Sequence, residues 1–218
     1  MSQHQFIRFG GTQTAVDVIK RIIENSLDRN DFTTCLFYGL DALQHHDGIT
    51  TIPDSKDALE VHLNPFSSVQ RPLQEVRGKN PSELALSSMV LNRSFGLPFH
   101  IPFADLRVPL DKHVRDRIEE SIRDDMPFFD QLHFLNSGKS LHVYGDRLVT
   151  EDEYREFLGM ILLWTYKGAT EKYHHLADVR WVGHSLIRGF GLVRIHERNA
   201  EGKREARPEP SLLGIMSV

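Results

Sequence analysis

Asn136-Ser137-Gly138-Lys139-Ser140-Leu141-His142-Val143-Tyr144-Gly145 is a polar turn that runs directly into an alternating strand. Ser137-Gly138 supplies the turn chemistry, because glycine reaches positive φ without a Cβ clash. Successive side chains of a strand point to opposite faces, so Leu141 and Val143 share one side while His142 and Tyr144 share the other. The turn's backbone amides, with Lys139 and an imidazole donor from His142, make a candidate anion site. The competing reading is a plain hairpin turn with a solvent-facing histidine.

Working outward, Phe128 to Leu135 reads as the strand before this turn, and His100 to Val108 as an earlier one after the Gly96-Leu97-Pro98 break. The earlier strand is apolar except for Asp105, whose ordinary reading from sequence alone is a hydrated strand-end carboxylate. Asp111 is expected to cap a helix whose apolar face is Val114, Ile118 and Ile122. Downstream, Thr150-x-x-Glu153 is a capping box opening a helix that carries Tyr154, Phe157, Leu158, Ile161 and Leu162. A polar stretch over 167–175 follows, then a short helix over 179–186 and a strand over 190–195. Asp178 stands before that helix, where an N-cap is its ordinary role.

Toward the N-terminus, the spacing of Ala15, Ile19, Ile22, Ile23 and Leu27 predicts a helix over 13–28. Strands are expected over 33–38 and 58–63, the second stopped by Asn64-Pro65. Residues 67–82 are polar and rich in turn formers, a candidate surface loop. Asp47-Gly48 is a turn signal, and an apolar patch lies at Leu212 to Met216. The mixed order of elements gives an α+β class: one domain, with a central mixed or antiparallel sheet flanked by helices.

Bulk properties narrow the function. The chain has 218 residues, 40% hydrophobic and 26% charged, a globular balance that argues against disorder. Its single cysteine, Cys35, excludes an internal disulfide and a cysteine-rich zinc module, and reads as a buried small hydrophobe. No secretory signal or membrane-length apolar run is evident, so a soluble cytoplasmic protein is expected. A net charge of −4 confines any nucleic-acid contact to a local strip. Residues 188–207 hold six basic residues, but Glu197, Glu201 and Glu205 interleave with them. The pairs His45-His46 and His174-His175 are adjacent in sequence and do not face one metal. Gly10-Gly11 lacks the Walker spacing, and neither GxGxxG nor GxSxG is present.

In order and spacing, HIPFADLRV (100–108), the helix from Asp111, FFDQLHF (128–134), NSGKSLHVYG (136–145), LADVRW (176–181) and GFGLVRIHERN (189–199) resemble the catalytic core of the archaeo-eukaryotic primase superfamily, in its primase-polymerase branch. ALEVHLNPF (58–66) resembles the segment found before that family's first acidic motif. The resemblance implies a primase-like core over 58–208, with an N-terminal helix and strand over 1–57 and a tail over 209–218. By resemblance, Asp105 and Asp178 are catalytic carboxylates holding Mg2+ or Mn2+. Ser137, Gly138, Lys139, His142, Arg107 and Arg180 contact a nucleoside triphosphate. Arg188 and Arg194 are further phosphate or template contacts. The implied partners are the nucleotide and a DNA or RNA template, the latter held with help from a partner or fused domain; no membrane is implied.

One position departs from the family. Arg107 stands where a second acidic residue is expected, two positions after Asp105. A guanidinium there repels a second metal unless Asp111 or another carboxylate swings in, and it suits a bidentate phosphate clamp. The resemblance thus implies a primase or polymerase nucleotidyltransferase, and Arg107 favours a catalytically inactive module binding nucleotide, nucleic acid or a partner. Outside the family, the Ser-Gly-Lys turn could hold another phosphorylated ligand, or the carboxylates could serve a nuclease.

Overall fold

The first helix is one-sided because its apolar residues recur at helical spacing: α1 (Ala15–Ser26) buries Ala15, Val16, Val18, Ile19, Ile22 and Ile23. Thr14 N donates to Asp17 Oδ2 at 2.8 Å where this helix starts. The structure is a computed structural model describing residues 6–8, 13–26, 33–39, 45–46, 49–50, 58–63, 83–92, 98–122, 128–138, 140–168, 170–197 and 210–218. The 67–82 loop, the Asp47-Gly48 turn, Gly10-Gly11 and Lys139 lie outside the described residues.

The strands are β1 (Phe6–Arg8), β2 (Thr33–Gly39), β3 (His45–His46), β4 (Ile49–Thr50), β5 (Ala58–Leu63), β6 (Glu83–Asn92), β7 (Pro98–His100) and β8 (Phe103–Leu106). They continue with β9 (Gln131–Asn136), β10 (Leu141–Gly145), β11 (Thr165–Lys167), β12 (Tyr173–His175), β13 (Leu192–Glu197) and β14 (Ser211–Ser217). The other helices are α2 (Val114–Ser121), α3 (Glu151–Leu163) and α4 (Val179–Arg188).

The class is α+β, as expected, but the strands divide between two main sheets. One runs β1-β14-β9-β10-β8; the other runs β13-β6-β2-β5, with β7 also on β6. The recorded strand pairs are antiparallel. Alternation along β8 and β10 then defines two cores. Phe103 and Tyr144 join Leu135 of the same sheet, Leu86, Val90, Val193 and Ile195 of the other sheet, and the apolar face of α1. Ala104, Leu106, Leu141 and Val143 point the other way, toward Ile118 of α2 and Phe157, Leu158 and Ile161 of α3.

Two local expectations are corrected, and a hairpin and a strand appear where the sequence suggested no element. His100 to Val108 is not one strand: β7 belongs to one sheet and β8 to the other, with Ile101-Pro102 crossing between them. Proline has no N–H for a ladder, and the Pro102 carbonyl accepts from Gly145 N at 2.8 Å. Asp111 does not cap α2, whose N-cap is His113 without a side-chain bond. Asp111 accepts from His113 N at 2.9 Å and holds both Arg117 guanidinium nitrogens at 2.8 Å. The polar 167–175 stretch contains most of a hairpin, β11 against β12. Residues 83–92, to which no element was assigned, form β6, paired to both β2 and β13.

The expected capping box is present: Thr150 Oγ1 accepts from Glu153 N while Glu153 accepts from Thr150 N. The apolar patch at 212–216 becomes the centre of β14, paired to β1 on one side and β9 on the other.

Candidate functional site: a carboxylate and histidine row

Strand β8 has a neighbour on each side. On one side, β10 places His142 opposite Asp105. On the other, Arg107 N donates to Leu176 O at 2.7 Å, Leu106 bridges Ala177, and Asp178 N donates to Asp105 O at 3.0 Å. This short ladder puts Asp178 opposite Asp105. Residues directly opposite in an antiparallel ladder share a face, so His142, Asp105 and Asp178 form one row across three chain segments. The row is on the side of the sheet that also carries Phe103 and Tyr144.

Exposure changes along this side of β8. Phe103 is sealed, the Asp105 side chain is 35% exposed, and Arg107 is exposed. Alternation puts all three on one face, because Ala104, Leu106 and Val108 all enter the opposite core. Arg107 therefore lies on the same face as Asp105, two residues farther along the strand toward solvent and beside the row.

His142 is 4% exposed, and its Nε2 lies 3.9 Å from Asp105 Oδ1, too far for a hydrogen bond. Burial, with help from the Arg194 cation, pushes its pKa down to about 3. The imidazole is neutral at pH 7, so the contact with Asp105 is not an ion pair. Its Nδ1 is buried without a hydrogen-bond partner, as is the hydroxyl of Tyr144 two positions along the same face. Burial raises the Tyr144 pKa, and the Asp105 charge raises it further. The alternation that singled out His142 also pointed to Tyr144 as part of this environment.

The 136–140 turn is held by its own residues. Gly138 has φ 94°, the left-handed region, and its N–H donates to Asn136 Oδ1 at 2.7 Å. Ser137 donates to the Ser140 carbonyl from N at 3.0 Å and from Oγ at 3.1 Å. An incoming phosphate would have to exchange these bonds for its own. Arg194 of β13 donates through Nη2 to the Ser137 carbonyl, tying the second sheet to the turn. Ser140, absent from the sequence-derived site, accepts from Val108 N at 2.9 Å and donates to the carbonyls of Leu106 and Val108. It fastens the turn to the end of β8.

Asp178 is the N-cap of α4, its Oδ1 accepting from Arg180 N and Trp181 N at 3.1 Å each. Both readings of Asp178 thus meet at one residue, a cap by bonding and a row member by position. Arg180 is exposed on the first turn of α4. Arg188, at the other end of α4, stacks on Phe190 with its guanidinium carbon 5.7 Å from the ring centroid.

The donor set can be weighed against the divalent ions implied by resemblance. Among the described residues, no group of three or more histidine, cysteine, aspartate or glutamate side chains is gathered to hold a metal. Asp105 and Asp178 are adjacent in the row, and Arg107 adds a positive charge on the same face, two residues along β8 from Asp105. Asp111 does not supply the missing carboxylate, because Arg117 holds it from both oxygens and draws its pKa down to about 2. These residues leave room for at most one cation, and only with further oxygens from a ligand's own phosphates. They do not suit two.

Two clefts lie elsewhere, one of about 330 Å³ lined by Leu110, Val114, Asn136 and Leu213, another of about 570 Å³ between α2 and the β11–β12 hairpin. Neither is lined by His142, Asp105 or Asp178. Convergent charge marks the row.

No curated protein and no solved structure matches the chain. The family model described as archaeo-eukaryotic primase 1D-like matches residues 67–207, which include the row, the 136–140 turn and Arg194. That span is more than half of the chain and carries the motifs in the order the resemblance required, so the chain belongs to the archaeo-eukaryotic primase 1D-like family.

Proposed function

We propose that this primase-fold domain binds a nucleoside triphosphate and a nucleic-acid template at the Asp105 row and acts as a nucleotidyltransferase. The observation that carries the reading is the alignment of Asp178, Asp105 and His142 across adjacent segments, within the span matched by the family. Primases of this superfamily generally use divalent metals; here Asp105 and Asp178 would hold magnesium or manganese. Such an ion, when bound, neutralises the triphosphate and orients the attacking hydroxyl.

The chain's own residues supply the rest. Among the described residues, Arg107 and Arg180, both exposed, and Arg194, bonded to the Ser137 carbonyl, would bring positive charge toward phosphate oxygens. Neutral His142 offers hydrogen bonding without charge beside Asp105. Ser137 and Gly138 would bring their turn toward the phosphates, and Lys139, next in sequence, would add a cation. With 26 basic against 30 acidic residues, the isolated chain is expected to hold template weakly, with further affinity from a partner or fused domain.

Calorimetric titration of a nucleoside triphosphate with Mn2+ tests this reading on wild type, Asp105→Ala and His142→Ala. Metal-dependent binding that both variants lose is expected, followed by template-dependent nucleotide incorporation in wild type only. Binding that survives Asp105→Ala overturns the assigned site. A second reading, binding without synthesis, is favoured by Arg107 and by the engagement of Asp111 with Arg117. Template-independent nucleotide binding with no incorporation at any metal concentration would select it.

A further inference from the structure

The position of Arg107 bears on how many cations the site takes. By register, Arg107 is opposite Leu176 on one side of β8, through its 2.7 Å bond to the Leu176 carbonyl. On the other side, the β8–β10 pairing ends at Leu106 opposite Leu141, and the next position is Ser140. Ser140 bonds to Leu106 and Val108, the residues flanking Arg107. Neither cross-strand neighbour of Arg107 is acidic. The carboxylates nearest to it along this face are Asp105, two residues before it, and Asp178, opposite Asp105.

Against the two carboxylates of the row stand the Arg107 guanidinium on the same face and Arg194, whose charge reaches His142, so the side-chain charge around the row is close to balanced before any ligand enters. A divalent ion bridging the carboxylates and a bound triphosphate is compatible with that balance. A second divalent ion would stand beside a permanent positive charge, with no third carboxylate on this face of β8 and its neighbours among the described residues to offset the repulsion. Asp111, the nearest acidic residue beyond Arg107 in sequence, is held from both oxygens by Arg117. The guanidinium can instead present paired N–H donors to phosphate oxygens, which a metal ion cannot do with the same directionality.

We propose that this site takes a single divalent cation with its nucleotide, and that Arg107 is a built-in replacement for the second, clamping the phosphates as a permanent cation. The proposal rests on the nucleotide-binding reading above and specifies the metal stoichiometry of that site. It makes nucleotide affinity depend on Arg107 even at saturating metal, and it leaves the row one carboxylate short of a second metal position.

The test counts bound Mn2+ by electron paramagnetic resonance in the presence of an α,β-methylene ATP analogue, with analogue affinity measured in parallel. Wild type should bind one Mn2+ for each analogue. Arg107→Ala should still bind one, with analogue affinity at saturating Mn2+ lowered about tenfold through loss of a charge-assisted clamp. Arg107→Asp restores a carboxylate and should raise the count to two. Arg107 is exposed, so circular dichroism should show all three proteins equally folded. Two Mn2+ ions on wild type, or an Arg107→Ala variant with unchanged affinity, overturns this proposal and leaves the nucleotide-binding reading standing. Failure of wild type to bind the analogue under any condition overturns both.

Discussion

The backbone amide of Asp178 donates to the carbonyl of Asp105 at 3.0 Å, so the two carboxylates of the row are set side by side by main chain. Their relative position follows from the β8 ladder and the start of α4. Structural and ligand-binding roles at this row can therefore be separated by mutation.

Asp178→Asn keeps a good N-cap, since asparagine caps as well as aspartate, and should change stability by only a few tenths of a kcal/mol. Asp178→Ala loses the bonds to Arg180 N and Trp181 N and should cost about 1 kcal/mol in thermal or urea unfolding. Both should weaken metal-dependent nucleotide binding about tenfold or more, because both remove the carboxylate charge. If only the alanine variant loses binding, the role of Asp178 is confined to the cap.

Acid should destabilise the fold through buried histidines. Burial pushes His100 and His133 down to about 4 and His142 to about 3, with Arg155, Arg21 and Arg194 respectively adding to the effect. Unfolding returns each to its ordinary value of 6.5. The unfolded chain therefore binds more protons between the two values, and stability present above pH 6.5 is lost as pH falls toward the folded values. Each of His100 and His133 should account for about 3 kcal/mol of loss by pH 4. Urea unfolding at pH 8, 6 and 5 checks this; a stability that does not fall from pH 6 to pH 5 contradicts the neutral, buried assignment.

Ser140→Ala should loosen the turn from β8. The hydroxyl serves Val108 N and two carbonyls, and its loss should cost about 1–2 kcal/mol. Amide hydrogen exchange should rise at Val108, whose donor loses its acceptor. Unchanged protection there would show that water or a neighbour takes over the bond.

Gly191→Ala should be among the most disruptive small substitutions. A Cβ at this position would lie 2.5 Å from the Tyr154 hydroxyl and 2.8 Å from the Trp181 ring. Trp181 is itself fixed by Nε1 donating to Leu192 O at 2.8 Å, so it cannot retreat without breaking that bond. The overpacking should cost about 1–3 kcal/mol, read as a lower urea midpoint.

Much of this fold was legible because local signals coincide with the elements. The strand over 58–63 has its predicted bounds, and Thr150-x-x-Glu153 marks the start of α3. The alternation of Leu141, His142, Val143 and Tyr144 correctly divides β10 between two cores. What escaped depends on pairing at long range. Residues 83–92 lack a clean period because β6 is central, between β2 and β13, and buries Ser87 and Ser88 beside Leu86 and Val90. Asp111 looked like a cap because its competitor, the Arg117 guanidinium, declares itself only in three dimensions. At the site, residue types and order were legible, but the opposition of Asp178 to Asp105 needs a ladder between distant segments. The engagement of Ser137 and Gly138 within their own turn is likewise invisible to spacing.

The two-residue crossing at Ile101-Pro102 has a mechanical consequence. Ile101 N is bonded to Ser88 O at 2.7 Å in one sheet, and Pro102 O to Gly145 N at 2.8 Å in the other. A single short tether, fixed at both ends, therefore spans the two layers immediately before the strand that carries Asp105 and Arg107. Any spreading of the layers must pull on β8 itself, so the separation of the layers and the placing of the charged residues on β8 are one coordinate.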